Sequence, residues 1–397
     1  MIEICRRSLI GVLFIWGLSA YAQTGIPTIG IDPKTEQPGA LKLSDLVQSA
    51  EYIPLETTDD CLIGGVSHFD ISDRYIVVGC YKSTSVYLFG RDGRFIRKIG
   101  RAGQGPAEYL QINYLRIDEA KNELAVFDYT KVIFYDLSGK HLRTQKLVID
   151  QDLYLDYSGD RLVTGIPSGF FSNKKYSVYR LYDIKPTGIK PLGERIPAQT
   201  VVVDGDKYGK VALATYSPPV CSYIFDDRLH VYELTLNDTV YTVEKDNTFK
   251  PCFILSVGKY AITAEMRADI MKFADNTYNS VALFSVFETQ QYVMIYYMYR
   301  KKLYYEYYDK SQKQMKRIQS DKGIPNDYDG GLDFWPFRWP SSQRNKRMCQ
   351  FYEAHEFEGK KPKEQGLRGP KSAIQKVKSF YKISPEDNPV LVIYNMK

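Results

Sequence analysis

The side chains best suited to recognition lie in residues 330–340, GGLDFWPFRWP, where Phe334, Trp335, Phe337 and Trp339 surround Arg338. Aromatic rings and guanidinium groups carry much of the energy of binding hot spots, and flat rings also stack on sugar faces. Two prolines keep the stretch out of regular strand pairing. Two roles are open to it: a ligand-contacting loop, or a plug packed over one end of a larger architecture. A second set lies in residues 100–108, GRAGQGPAE, where Arg101, Gln104 and Glu108 offer polar contacts. Its glycines could cradle a phosphate, but no Gly-Lys-Ser/Thr follows and no helix opens there, so a turn explains them better. Asp128 ends the apolar run 124–127 and could face a channel. One carboxylate is not a metal site, and a strand-end Asp usually accepts backbone donors.

Catalytic constellations are scarce. His68, His141, His230 and His355 sit in unrelated contexts, and neither Gly-x-Ser-x-Gly nor His-Glu-x-x-His occurs. Cys61, Cys80, Cys221, Cys252 and Cys349 are widely spaced, with no Cys-x-x-Cys pair and no cysteine–histidine cluster. They read as buried strand residues acting as small hydrophobes, and their odd number leaves at least one outside any intrachain pairing. No metal is expected. Residues 338–378 hold eleven Lys or Arg and four Glu, so the excess positive charge of the chain is concentrated there. Such a run is either a solvated insertion, with a helix over 371–381 entered through Pro370, or a basic surface for an anionic glycan or lipid headgroup.

The elements that must position these residues are strands. In residues 86–99, VYLFGRDGRFIRKI, two extended runs flank Asp92-Gly93, which predicts a two-residue hairpin turn. The layout returns at 132–147 around Gly139, more weakly at 178–192 around Gly188, and at 303–318 without the glycine. Gly93 and Gly139 are 46 residues apart and Gly188 follows 49 later. Self-similarity at roughly 40 to 50 residues marks propeller blades, four-stranded sheets that cannot bury their faces alone. Residues 229–255 read as a further meander, and 261–274, AITAEMRADIMKFA, as an amphipathic helix between blades.

Residues 1–22 read as an export signal: Arg6 and Arg7, an apolar core of about ten residues, and Ala20-Tyr21-Ala22 as the cleavage site before Gln23. That core is short of the roughly 20 residues of a membrane span. No later segment is apolar enough to span, so the mature chain is expected to be soluble. Residues 23–40 look like a flexible Gly- and Pro-rich lead-in.

Residues 100–140, GRAGQGPAEYLQINYLRIDEAKNELAVFDYTKVIFYDLSGK, resemble the NHL-type repeat: a Gly-rich turn, an aromatic, an inner strand ending in Asp and a hairpin with Gly. More closely, residues 41–397 resemble the secreted six-bladed β-propeller proteins of Gram-negative gut-type bacteria. Tyr52-Ile53-Pro54-Leu55-Glu56, Asn237-Asp238-Thr239-Val240-Tyr241, Asp329-Gly330-Gly331 with Phe334-Trp335-Pro336, and Asn388-Pro389-Val390-Leu391-Val392 carry the likeness. It implies a fold and export, to the periplasm or cell surface, without settling a reaction.

The expected architecture is therefore all-β: residues 41–397 as a six-bladed propeller of four-stranded antiparallel blades with short helical insertions. The first and last strands share the closing blade, because an open blade would leave unpaired edges. Six blades give about 60 residues each, above the roughly 40 to 50 of compact blades, so insertions are required. The expected function is a non-enzymatic binding or interaction module, monomeric, taking a protein or glycan but not nucleic acid, with Arg101, Gln104, Glu108, Asp128, Trp335, Arg338 and Trp339 near the channel mouth. No cofactor is expected. The alternative is a hydrolase or lyase using a divalent cation such as calcium in the channel.

Overall fold

Strand burial shows how the sheets are arranged. In Tyr75–Cys80, Ile76 and Val78 pack with Phe351 and Ile393 on one side, while Val77 packs with Leu115 and Val126 on the other. Successive side chains of a strand point to opposite faces. Here both faces meet another sheet, so Ser85–Gly90 is buried at all four internal positions. The outer neighbour Phe95–Ile99 has only its last residue buried. Such a pattern belongs to sheets stacked face to face around an axis, with the core between them.

The computed structural model describes residues 25–128, 130–147, 154–158, 161–165, 179–185, 187–195, 220–233, 238–263, 266, 275, 277–319, 323–338, 341–344 and 346–397. They form a six-bladed β-propeller of antiparallel meanders. From the axis outward, blade one is Val66–Ile71, Tyr75–Cys80, Ser85–Gly90 and Phe95–Ile99. Blade two is Tyr114–Asp118, Glu123–Phe127, Lys131–Asp136 and His141–Lys146. Blade three is Tyr154–Ser158, Arg161–Gly165, Tyr179–Lys185 and Gly188–Arg195. Blade four is Val220–Phe225, Arg228–Glu233, Thr239–Val243 and Phe249–Ser256. Blade five is Val281–Glu288, Tyr292–Tyr299, Lys302–Asp309 and Gln314–Ile318. The closing blade takes Ser341–Arg344, Arg347–Tyr352 and Val390–Met396 from the end of the chain and Val47–Pro54 from its beginning.

Closure is an antiparallel ladder in which Leu391 faces Ile53, Val392 faces Tyr52 and Tyr394 faces Ala50. Asn388, just before the last strand, fixes the way into blade one. Its Oδ1 accepts the Ile63 amide at 2.8 Å, and its Nδ2 donates to the Glu56 and Cys61 carbonyls, both at 2.7 Å. The Asn-Pro pair thus stops one strand and ties down the connection lying beside it. Cys61, Cys80 and Cys349 are buried, as expected of small hydrophobes, whereas Cys252 is only half-buried. Inner strands Val220–Phe225 and Ser341–Arg344 touch through one parallel bridge at Ile224 and Arg344.

The turns differ from the two-residue form that Asp92-Gly93 suggests. The Gly93 amide donates to the Gly90 carbonyl at 3.0 Å and the Gly90 amide to the Arg94 carbonyl at 2.9 Å, with Gly93 at φ +87°. This is a tight turn followed by a left-handed residue, which lengthens the loop by one position. Only glycine suits Gly93, because a Cβ there would stand 2.2 Å from the Pro54 carbonyl oxygen of the closing strand. Blades four and five place Asn247 (φ +65°) and Lys313 (φ +54°) in the corresponding outer hairpins.

Within the lead-in expected to be flexible, two short segments are instead paired to blade edges. Thr28–Gly30 runs parallel to the outer strand of blade four, and Pro38–Gly39 runs parallel to that of blade five. Ile29 and Ile31 are buried between them, and Arg317 donates to the Pro33 carbonyl at 3.0 Å. An outermost strand offers unpaired amides and carbonyls, and an extended segment satisfies them whatever its side chains. Among the described residues the α-helices are short, Leu43–Leu46 and Lys371–Phe380. The second is the helix expected after Pro370. The helix expected over 261–274 lies largely outside the described residues.

Candidate functional site

Antiparallel meanders send alternate connections to opposite ends of the propeller. One end carries short turns such as 72–74, 119–122 and 289–291. The other carries the blade-to-blade connections 55–65, 100–113, 257–280 and 319–340, together with the insertion 353–389 of the closing blade. The described side chains of both sets singled out by sequence lie at this second end, in different connections.

In the set at residues 100–108, between blades one and two, Glu108 organises the loop. Its Oε2 accepts the Gly105 amide at 2.9 Å and its Oε1 accepts Arg101 Nε at 2.6 Å. These donors, Gly105 first, hold its carboxyl below the ordinary range. A Cβ at Gly103 would lie 2.1 Å from the same carboxylate. The glycines therefore make room for the loop's own anion. Lys131 Nζ donates to the Gly105 carbonyl at 2.8 Å, and Tyr135 donates to the Ala107 carbonyl at 2.7 Å. Asp128 is buried, and its Oδ2 accepts the Leu110 amide at 3.0 Å, the backbone-satisfying role open to a strand-end Asp. Arg101 and Gln104 remain exposed on top.

In the set at residues 330–340, between blade five and the closing blade, Phe334 is fully buried and meets Tyr394 edge-on at 4.9 Å. Trp335 meets Tyr305 edge-on at 4.3 Å, and Phe337 lies 5.4 Å from Tyr296. Arg338 is engaged inside the fold. Its Nε donates to the Phe351 carbonyl at 2.5 Å, its Nη2 pairs with Glu356, and its guanidinium sits 4.3 Å over the Tyr352 ring. Trp339 lies outside the described residues.

Beneath this loop, Asp329 has no exposed surface. Its Oδ1 accepts the Gly331 amide at 3.0 Å, Asn326 Nδ2 at 2.8 Å and the Tyr52 hydroxyl at 3.1 Å. Burial outweighs these bonds and raises its carboxyl above the ordinary value. A raised carboxyl contributes stability that is full below its unfolded pKa of about 3.9 and is lost as pH rises through the folded value. Asp329→Asn should therefore gain stability relative to wild type as pH rises from about 4 toward neutrality. Denaturation series at several pH values measure this difference, and a flat difference would contradict it.

Two features were missed from sequence. Leu62, Tyr81 and Leu110 are large, exposed hydrophobics at the long-connection end. The Tyr81 amide donates to the Gly65 carbonyl at 2.9 Å, and Ile112 packs on Gly79, so the connections bearing the three lie side by side. At the opposite end, a cleft between blades two and three is lined by Arg116, Lys121, Glu123, Phe134, Arg143 and Ile184. Its charges are paired: Arg143 with Glu123 at 2.6 Å and Lys121 with Asp118 at 3.0 Å within the cleft, and Arg116 with Asp70 of blade one at 3.1 Å. Hydrophobic residue type gives no sign of which side chains a connection leaves in water. Among the described residues, no group of three or more His, Cys, Asp or Glu is placed to hold a metal ion. Nor is any helix among them long and apolar enough to cross a membrane.

Three solved structures are similar in shape. A putative exported protein from Bacteroides fragilis shares 16% identity at a TM-score of 0.64, covering 93% of this chain and 99% of that one. A DUF4221 family member from Bacteroides vulgatus shares 9% at 0.48, over 89% and 97%. A protein of unknown function from Bacteroides thetaiotaomicron shares 8% at 0.37, over 91% and 75%. The first supports the propeller fold and nothing further. No curated protein matches. The family model described as a domain of unknown function, DUF4934, matches residues 26–395, nearly the whole propeller with its paired lead-in, and the chain belongs to that family.

Proposed function

We propose that this chain is an exported, non-enzymatic binding module whose protein or glycan partner sits on the long-connection end. The observation that carries this reading is the exposure of Leu62, Tyr81 and Leu110, at 56%, 79% and 56%, on adjoining connections. Covering such side chains is favourable by about 1.5–3 kcal/mol each, and clustered apolar exposure marks interaction surfaces. Arg101 and Gln104 supply polar contacts at the rim. Glu108 and Asp128 hold the loop that presents them, and Trp335 and Arg338 belong to the neighbouring corner of the same surface; Trp339 is proposed as a further contact beside them. Residues 1–22 are the export signal, with cleavage before Gln23. The description of the Bacteroides fragilis protein as putatively exported agrees with that reading.

A glycan and metabolite screen with and without calcium, on wild type and Tyr81→Ser, tests the proposal. Wild type should bind a ligand independently of calcium, and Tyr81→Ser should bind it about tenfold more weakly, a loss of about 1.4 kcal/mol. Its melting temperature should be unchanged. Calcium-dependent turnover would favour the hydrolase or lyase reading. Undiminished binding by Tyr81→Ser would place the ligand elsewhere.

A further inference from the structure

The insertion between the second and third strands of the closing blade is built and then charged. Val377 and Phe380 of the helix Lys371–Phe380 are buried, and Phe380 stacks on Tyr52 of the closing strand at 5.2 Å. The preceding loop is pinned by three ion pairs: Lys363 to Asp333 at 2.6 Å, Arg368 to Asp327 at 3.5 Å and Lys378 to Glu364 at 3.3 Å. These consume the cations that hold the insertion in place. Lys360, Lys361, Lys371, Lys376 and Lys382 are left exposed, with no ion-pair partner among the described residues. The middle of the insertion, residues 359–383, holds eight Lys or Arg against one Glu, an excess of +7, while its other acids, Glu353, Glu356, Glu358, Glu386 and Asp387, gather at its two ends and bring the whole insertion to +2. Positive charge is therefore concentrated on the middle stretch of the insertion, around the helix and the loop before it.

We infer that this insertion is a docking surface for a polyanionic polysaccharide. At 3.6 residues per turn, Lys371 shares one side of the helix with Gln375, away from Val377 and Phe380, and Lys382 follows just beyond its end. Long, mobile ammonium groups suit an extended polymer whose charges recur along its length better than one fixed anion. A membrane surface fits less well, because interfacial helices bury an apolar face, and this helix spends its apolar face on Tyr52. No large hydrophobic residue of the insertion is among those exposed. Single-stranded nucleic acid needs exposed aromatic platforms, and the described surface of the insertion offers none. The inference is independent of the partner proposed for the Tyr81 corner, which rests on other connections.

The test measures binding to polygalacturonate and to dextran sulfate, with neutral dextran and phosphatidylglycerol vesicles as comparisons. Wild type should bind both polyanions at low ionic strength and more weakly at physiological salt, where the screening length is about 8 Å. Replacing the five lysines by Gln should weaken binding at least about tenfold with an unchanged melting temperature. Replacing Lys140, Lys245, Lys250, Lys301 and Lys313 by Gln removes equal charge elsewhere and should leave binding near wild type. Equal losses in the two variants, no loss in the first, no wild-type binding at low salt, or vesicle binding as tight as polymer binding would each overturn the inference.

Discussion

Removing residues 389–397 should abolish the cooperative unfolding transition of the whole propeller. The deleted strand pairs on one side with Arg347–Tyr352 and on the other with Val47–Pro54, so two of the closing blade's three ladders go with it. Val390, Leu391 and Val392 are fully buried, and Ile393, Tyr394 and Met396 nearly so. Six such side chains at about 1.5–3 kcal/mol each amount to roughly 10 kcal/mol or more, on the scale of a whole domain's stability of about 5–15 kcal/mol. Circular dichroism melts of the truncated and full chains provide the measurement. A sharp transition at the wild-type temperature would mean that the ring does not depend on its last strand.

Phe334→Ala should lower the unfolding free energy by about 3–5 kcal/mol, the range for deleting a buried Phe side chain. Phe334 closes the gap between Phe287 of blade five and Tyr394 of the closing blade. Its backbone exchanges hydrogen bonds with Ile324 at 2.7 and 3.0 Å. Chemical denaturation of the variant separates the two roles open to this loop. A loss of stability identifies packing between blades, whereas an intact fold with lost ligand binding identifies contact with a partner.

Legibility in the sequence followed the kind of signal each element uses. The hairpins of blades one and two were readable because Gly93 and Gly139 mark left-handed positions, at φ +87° and +90°. Blades four and five meet the same demand with Asn247 and Lys313. What recurs is a backbone conformation, and a search for glycine finds only part of it. The lead-in looked featureless because its pairing uses amides and carbonyls, which every residue but proline supplies in full. Arg338 stands among aromatics in the sequence, yet its partners in the fold, Tyr352 and Glu356, lie on the strand and turn that follow. No spacing rule links them. Nothing in the sequence marks Tyr81, and only the position of its connection leaves it 79% exposed.

Local chemistry, written residue by residue, was sufficient for the repeating hairpins, the ring they require, the shared closing strands and the helix after Pro370. Turn conformation, strand periodicity and the need to cover sheet edges are properties of short segments. Which aromatics became core, which lysines stayed unpaired, and which connections met at one corner depended on contacts between residues far apart in the chain. Those contacts exist only once the blades have stacked, because burial and ion pairing belong to the assembled ring and not to any segment of it.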